Sequence, residues 1–263
     1  MSLVASPQSG PTLLAIDTSS AWCSVALLHH GRTDLLCEEA GHGHSQRVLP
    51  MVEALLQRRG LQLRDCRAVA FGAGPGAFTG LRIACGVAQG LAFSAGLPVV
   101  PIDCVAATAS CARTLAAVTD DVPVAVALDA RMGEVYFGLI ETPPPGIAVA
   151  RLAAPHEAAA GLMAEVVDRG SPAGRVLAAG DGFARHPGPF GLLVERLGPP
   201  IVKAHARADA VAVLAARALA CGHAVPAEEA VPLYVRDKVA LDVDEQRALR
   251  AARDAAASAA ARP

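Results

Sequence analysis

Between residues 72 and 82 the chain reads Gly72-Ala-Gly-Pro-Gly-Ala-Phe-Thr-Gly-Leu-Arg82, and no other segment constrains the backbone so tightly. The apolar run Ala68-Val-Ala-Phe71 before it predicts a buried strand, and the stretch from Gly80 to about Ala95 predicts a helix. Glycines at 72, 74, 76 and 80 permit positive φ and close backbone approach, while Pro75 stiffens the turn. Thr79 sits where an N-cap would accept a hydrogen bond from the first free amides of that helix. Such a turn can hold an anion, because its free N–H groups and the helix dipole point at it. It can instead let two backbones pack closely, and the sequence leaves both uses open. Gly72, Gly74 and Ala77 also satisfy G-x-G-x-x-[GA], with Asp103 at the end of the next strand candidate, Leu97–Ile102. Three strand candidates precede this turn, however, whereas the dinucleotide fingerprint belongs on the first βα turn of its fold. Pro75 and Phe78 also push the helix start away from the glycines.

The three earlier strands are Leu13–Asp17, Cys23–Leu28 and Thr33–Glu38, with tight turns between them. Ser45 to Arg59 predicts a helix with apolar residues at 48, 49, 52, 55 and 56 on one stripe and Gly60 as its stop. A further helix is expected from Val105 to about Val118. The order then restarts: Val122–Asp129, Glu134–Ile140 and Ile147–Leu152 as strands, a helix over Pro155 to Asp168, a strand at Arg175–Ala179, and a helix over Ala208 to Ala220. Val-Ala-Leu-Asp129 echoes Leu-Ala-Ile-Asp17. The expected fold is therefore α/β, with two actin-like (ribonuclease H-like) half-domains, each a mixed sheet opening with a three-strand meander and flanked by helices. Residues 12–104 form the first half, 105–240 the second, with a linker near Thr119–Val122 and an Ala/Arg-rich tail at 241–263. In actin and the sugar kinases such paired acidic strand ends flank a nucleotide cleft, which is an analogy of fold and gives no activity by itself.

Composition limits the functions open to such a chain. At 263 residues it is 53% hydrophobic but only 3% aromatic, so Ala, Val and Leu must build its core. A formal charge of -2 supplies no general attraction to a phosphate backbone, so any nucleic acid contact would be carried mostly by a partner. The seven cysteines (23, 37, 66, 85, 104, 111, 221) are odd in number, lack a C-x-x-C pair, and predict reduced, buried thiols. Met1 to Pro11 lacks the features of a signal peptide, and no apolar run approaches the ~18 residues of a membrane span. A soluble, cytoplasmic protein is expected.

With these segments placed, the chain resembles the TsaB (YeaZ) family over nearly all of residues 13 to 240. The marks are Leu14-Ala-Ile-Asp-Thr-Ser19, Cys23-Ser-Val-Ala-Leu27, His44-Ser-Gln-Arg-Val-Leu-Pro50 and Gly74-Pro-Gly-Ala-Phe-Thr-Gly-Leu-Arg82. Ala127-Leu-Asp-Ala-Arg-Met-Gly-Glu-Val-Tyr136 and Pro232-Leu-Tyr-Val-Arg236 follow in the family's order. The resemblance implies a non-catalytic partner of TsaD, the enzyme that makes threonylcarbamoyladenosine beside the tRNA anticodon. It also implies that the first two helices, by position Ser45–Arg59 and Gly80–Ala95, associate with TsaD in a heterodimer or with a second copy of the chain. His44, Leu49, Val52, Leu55, Arg82, Gly86, Gln89, Gly90 and Phe93 are the interface candidates on that basis. The ATPase TsaE would join through the complex, tRNA would be met only indirectly, and no membrane is involved.

The residues themselves argue against catalysis. An actin-like ATPase places glycine soon after the first-strand Asp so that amides approach a phosphate; here Thr18, Ser19 and Ser20 follow. Asp17, Thr18 and Ser19 are the candidate remnant of a nucleotide site, and an Asx/ST turn closing the hairpin is the plainer use of their side chains. TsaD carries two metal-ligating histidines on the helix after the strand equivalent to Leu97–Ile102, where this chain has Asp103-Cys-Val-Ala-Ala-Thr108. The eight histidines (29, 30, 42, 44, 156, 186, 205, 223) form no i,i+4 pair, so no metal and no cofactor is expected. His44, just before a helix, suits a cap or an interface. The small residues Ala84, Gly86, Ala88, Gly90 and Ala92 leave the helix surface nearly bare, for packing either inside the domain or against a partner. The alternative function is an actin-like ATPase or kinase with Asp17 and Asp129 across a magnesium-nucleotide cleft, or a glycoprotease-type hydrolase.

Overall fold

The structure is a computed structural model and describes residues 10–41, 43–141, 150–170 and 175–236. The tail at 241–263, His42 and the first half of the expected strand Ile147–Leu152 fall outside them. Three antiparallel strands open the fold: β1 (Leu13–Asp17), β2 (Trp22–His29) and β3 (Arg32–Glu39). After α1 (His44–Arg59) come β4 (Ala68–Gly74), α2 (Phe78–Ala95) and β5 (Val99–Asp103), whose strands add in parallel beside β1. The resulting sheet has the order β3-β2-β1-β4-β5.

The same scheme then recurs after α3 (Cys104–Ala116). β6 (Val124–Arg131), β7 (Glu134–Ile140) and β8 (Arg151–Ala153) form the second meander, and β9 (Leu177–Ala179) adds in parallel to β6. Its order, β8-β7-β6-β9, repeats the first four positions of the other sheet and gives the expected actin-like pair of mixed sheets. α4 (Pro155–Asp168), α5 (Gly182–Arg185), α6 (Pro187–Leu197) and α7 (Ala208–Ala220) complete the described helices.

Alternation along the strands sorts the core into three clusters. Leu14 and Ile16 of β1 point to α1 and α2, while Leu13 and Ala15 point to α3 and α7. That second cluster continues into Val124 and Val126, so α3 and α7 lie in a core shared by both sheets. Ala125, Ala127, Phe137 and Leu139 pack on the far side against α4 and α6. α7, late in the chain, sits against β1 and β2, so the two halves are not separate packing units. Arg113 ties α3 to the second sheet from a buried position, donating to the carbonyls of Val122 (2.8 Å), Ile140 (2.7 Å) and Glu141 (2.8 Å).

Helix ends differ from expectation at one informative point. α2 begins at Phe78 with Ala77 as its N-cap and no side-chain bond, so Thr79 lies inside the first turn. The capping carboxylate belongs instead to Asp103, which accepts from the amides of Val105 (2.7 Å) and Ala106 (3.0 Å) at the start of α3. Gly60 and Gly96 close α1 and α2, each at a φ of 64°.

Candidate functional site

Asp17 ends β1 and is fully buried. Its carboxylate accepts from the amide of Ser19 (3.2 Å), from the Ser19 hydroxyl (3.0 and 3.1 Å) and from the Cys104 thiol (3.8 Å). Thr18 Oγ1 donates to the carbonyl of Gly80 at 2.7 Å. Burial pushes the Asp17 carboxyl up to about 7, and the bonds from Ser19 and Cys104 only partly oppose it. All three candidate nucleotide residues are thus committed to internal bonds. Asp17 and Ser19 close the turn between β1 and β2, and Thr18 ties that turn to the start of α2.

The glycine turn is packed against that same hairpin. A Cβ at Gly72 would lie 1.9 Å from Asp17 Oδ2, one at Gly76 would lie 2.6 Å from the Ser19 carbonyl, and one at Gly80 would lie 1.9 Å from the Thr18 carbonyl. Gly74 has a φ of 129°, and a Cβ there would lie 2.5 Å from the Leu233 carbonyl oxygen. The Ala77 amide, which an anion would need, donates to the Ser19 carbonyl at 2.7 Å. Of the two uses the sequence left open, close backbone packing is the one realised. The second half uses the same device: a Cβ at Gly180 would meet the Ala127 carbonyl at 2.2 Å.

Between the two strand ends lies a cleft of about 480 Å³. Asp129, its acidic residue from β6, accepts from the Arg131 amide at 3.0 Å, while its own amide donates to Asp181 at 3.0 Å. The turn after it holds Arg131 and Met132 at φ of 63° and 54°. Arg236 braces that turn through the Ala130 carbonyl (3.2 Å) and the Glu134 carboxylate. Among the described residues, no group of three or more His, Cys, Asp or Glu is placed to share a metal ion.

The association candidates divide into two sets. His44, Val52 and Leu55 are buried, Val52 and Leu55 in the core under α1, because the apolar stripe of this helix serves its own sheet. In the chain alone they present little surface to a partner. Leu49 and Phe93 are exposed, at 45% and 77%. Gly86 and Gly90 lie on the exposed face of α2, and among the described residues a Cβ at either would meet nothing within 4 Å. Gln89 donates to the Ala230 carbonyl at 2.9 Å, and Arg82 stacks on Phe78 and donates to Tyr234 Oη at 3.0 Å. This C-terminal strap over α2 is a feature that no local pattern announced, although Pro232-Leu-Tyr-Val-Arg236 stood out in the sequence.

Comparisons with known proteins identify the family. An Escherichia coli tRNA threonylcarbamoyladenosine biosynthesis protein TsaB is 37% identical over 232 residues, covering 87% of this chain and 96% of its own length. The chain belongs to the TsaB family. The TsaB of Haemophilus influenzae is 49% identical over a shorter segment, 49% of this chain and 53% of that protein. A solved structure titled YeaZ from Pseudomonas aeruginosa superposes with a TM-score of 0.64 at 37% identity, covering 85% of this chain and 99% of that one. A second Pseudomonas aeruginosa structure, titled as an uncharacterized protein similar to peptidase YeaZ, gives 0.70 at 37% identity over 86% and 100%. The family model described as TsaD, tRNA N6-adenosine threonylcarbamoyltransferase, matches residues 35–143. Among the described residues, no helix is long and apolar enough to cross a membrane.

Proposed function

We propose that this chain is the non-catalytic scaffold subunit of tRNA threonylcarbamoyladenosine synthesis, binding and activating the transferase TsaD through α1 and α2. The observation that carries the proposal is the contrast between two groups of glycines. Those at 72, 74, 76 and 80 are required by the fold, since a methyl group at each would enter a neighbouring backbone or carboxylate. A methyl group at Gly86 or Gly90 would meet nothing within 4 Å among the described residues. Each interior helix glycine costs about 0.5–1 kcal/mol relative to alanine. A bare helix face flanked by exposed Leu49 and Phe93 suits the close approach of a second helix. TsaE joins the resulting pair, and a homodimer uses the same face when TsaD is absent. The buried Asp17 and the filled glycine turn support a subunit without turnover of its own.

Co-purification of this chain with TsaD tests the proposal, using Gly86→Leu and Gly90→Leu as interface variants. Both variants keep their melting temperature but lose TsaD in size-exclusion chromatography, and TsaD then loses threonylcarbamoyl transfer to tRNA. A variant that melts early yet still binds TsaD would place these glycines in the fold. Transferase activity that is indifferent to this chain would overturn the scaffold role.

A further inference from the structure

The C-terminal strap meets the second half at a small cavity. About 170 Å³ of space is walled by Phe78 and Leu81 of α2, Tyr136 of β7 and the strap residues Leu233, Tyr234 and Val235. That is well below the ~300–1,000 Å³ of a metabolite site and suits the insertion of one large apolar side chain. Its size therefore favours an anchor pocket for a protein over a site for a whole small molecule.

The rim carries the residue types that dominate protein interfaces. Phe78, Tyr234 and Met132 are 43%, 47% and 69% exposed. The Phe78 and Tyr234 rings lie 5.6 Å apart, and the Arg82 guanidinium covers the Phe78 ring at 3.9 Å. Arg82 Nε donates to Tyr234 Oη, and among the described residues this guanidinium has no carboxylate partner. The Arg131 side chain is 77% exposed and reaches Asp129 only at 3.6 Å. Glu134, the acid on this rim, is already neutralised by Arg236.

The rim is also held in place before anything binds. Arg131 and Met132 sit in the left-handed region, at φ of 63° and 54°, a conformation that costs any residue other than glycine. Arg236 fixes that turn by donating to the carbonyls of Ala130 (3.2 Å) and Arg131 (3.5 Å). The Leu233 amide anchors the strap to the Ala73 carbonyl at 2.7 Å. A surface ordered in this way loses little conformational freedom when a partner arrives.

We propose that this cavity is a docking pocket for an acidic segment of a partner protein: one aromatic or leucine side chain of the segment enters it, and flanking carboxylates pair with Arg82 and Arg131. Charge sets the chemistry of the occupant, since the rim offers two cations without a close carboxylate and no uncommitted acid. The pocket lies at the first turn of α2, about two turns before Gly86, and is a second surface beside the bare helix face.

A phage library of random dodecapeptides is selected on the full chain and counter-selected on the R82E/R131E variant. The consensus peptide is then synthesised and its affinity measured by calorimetry. The expected consensus places one Phe, Trp or Leu among aspartates or glutamates and binds with a Kd below about 100 μM. R82E/R131E keeps its melting temperature and weakens the peptide at least tenfold, as does serine in place of the peptide's anchor. R131E alone, changed at an exposed side chain, weakens it at least threefold and carries the test if the double variant melts early. No TsaD enters the assay, so its outcome is independent of the scaffold role. The proposal is overturned by the absence of a consensus, by a neutral or basic consensus, or by affinity that survives the charge reversals. Self-association of the chain that is lost in F78S would assign the pocket to a second copy and overturn it equally.

Discussion

Gly72 and Asp17 share one space: a methyl on the first would come within 1.9 Å of the carboxylate of the second. The carboxylate that an actin-like enzyme would offer to a cation is here covered by its own glycine turn. This contact, with its counterpart between Gly80 and Thr18, turns a candidate phosphate loop into a packing joint.

The first expectation concerns those joints. Gly80→Ala forces a Cβ to within 1.9 Å of the Thr18 carbonyl, a backbone atom that cannot swing aside. It should destabilise by about 3 kcal/mol or more. Gly86→Ala and Gly90→Ala meet open space and should stabilise by about 0.5–1 kcal/mol. Urea unfolding of the three variants checks the opposite signs.

Stability should also depend on pH through Asp17. The folded chain holds this proton up to about pH 7, whereas the reference carboxyl loses it near 3.8. Between those values the folded state binds more protons, so the contribution of Asp17 is fully present below about pH 4 and is lost as pH rises through 7. Asp17→Asn removes the dependence. It should match the parent near pH 4 and exceed it by on the order of 2–4 kcal/mol at pH 8. Equal urea midpoints for parent and variant at pH 8 would refute this.

Buried and exposed apolar residues of α1 and α2 should behave in opposite ways. Leu55→Ala empties part of the core and should cost about 2–5 kcal/mol. Leu49→Asp and Phe93→Asp change exposed positions, so stability should move by less than about 0.5 kcal/mol. Their affinity for TsaD should fall at least tenfold, read by calorimetry beside a thermal melt.

Arg113 should tolerate no conservative replacement. Lysine cannot reproduce a fork that serves the carbonyls of Val122, Ile140 and Glu141 together. Arg113→Lys should therefore cost about 2–4 kcal/mol, since buried carbonyls lose their donors. Loss of amide-exchange protection at the end of β7 would accompany it.

Periodicity and repetition made the architecture legible from the sequence. The echo of Asp17 in Asp129 and the two meanders gave both sheets, and α4 and α7 match their expected bounds. α6 was missed because Pro187-Gly-Pro189 reads as a loop, although proline in the first turn of a helix is a start signal. The role of the glycine turn was beyond local reading. Cradling an anion and packing a backbone call for the same glycines, and what separates them is the position of Thr18 and Ser19, some sixty residues earlier. The same limit explains Val52 and Leu55: an apolar stripe on a helix states that something covers it, and here its own sheet does. The Phe78–Tyr234 pair joins segments far apart in the chain, so no spacing rule could have found it.

The placement of α7 bears on how the protein is made. Leu13, Ala15, Ala26 and Leu28 of the first meander face a core that includes α7, and the Ala73 carbonyl receives its hydrogen bond from the amide of Leu233. Synthesis runs from the N-terminus, so the ribosome releases the first sheet before either cover exists. The opening segment of the chain waits, with an apolar face uncovered, while the whole second sheet is translated. The first sheet emerges before the second and is completed after it.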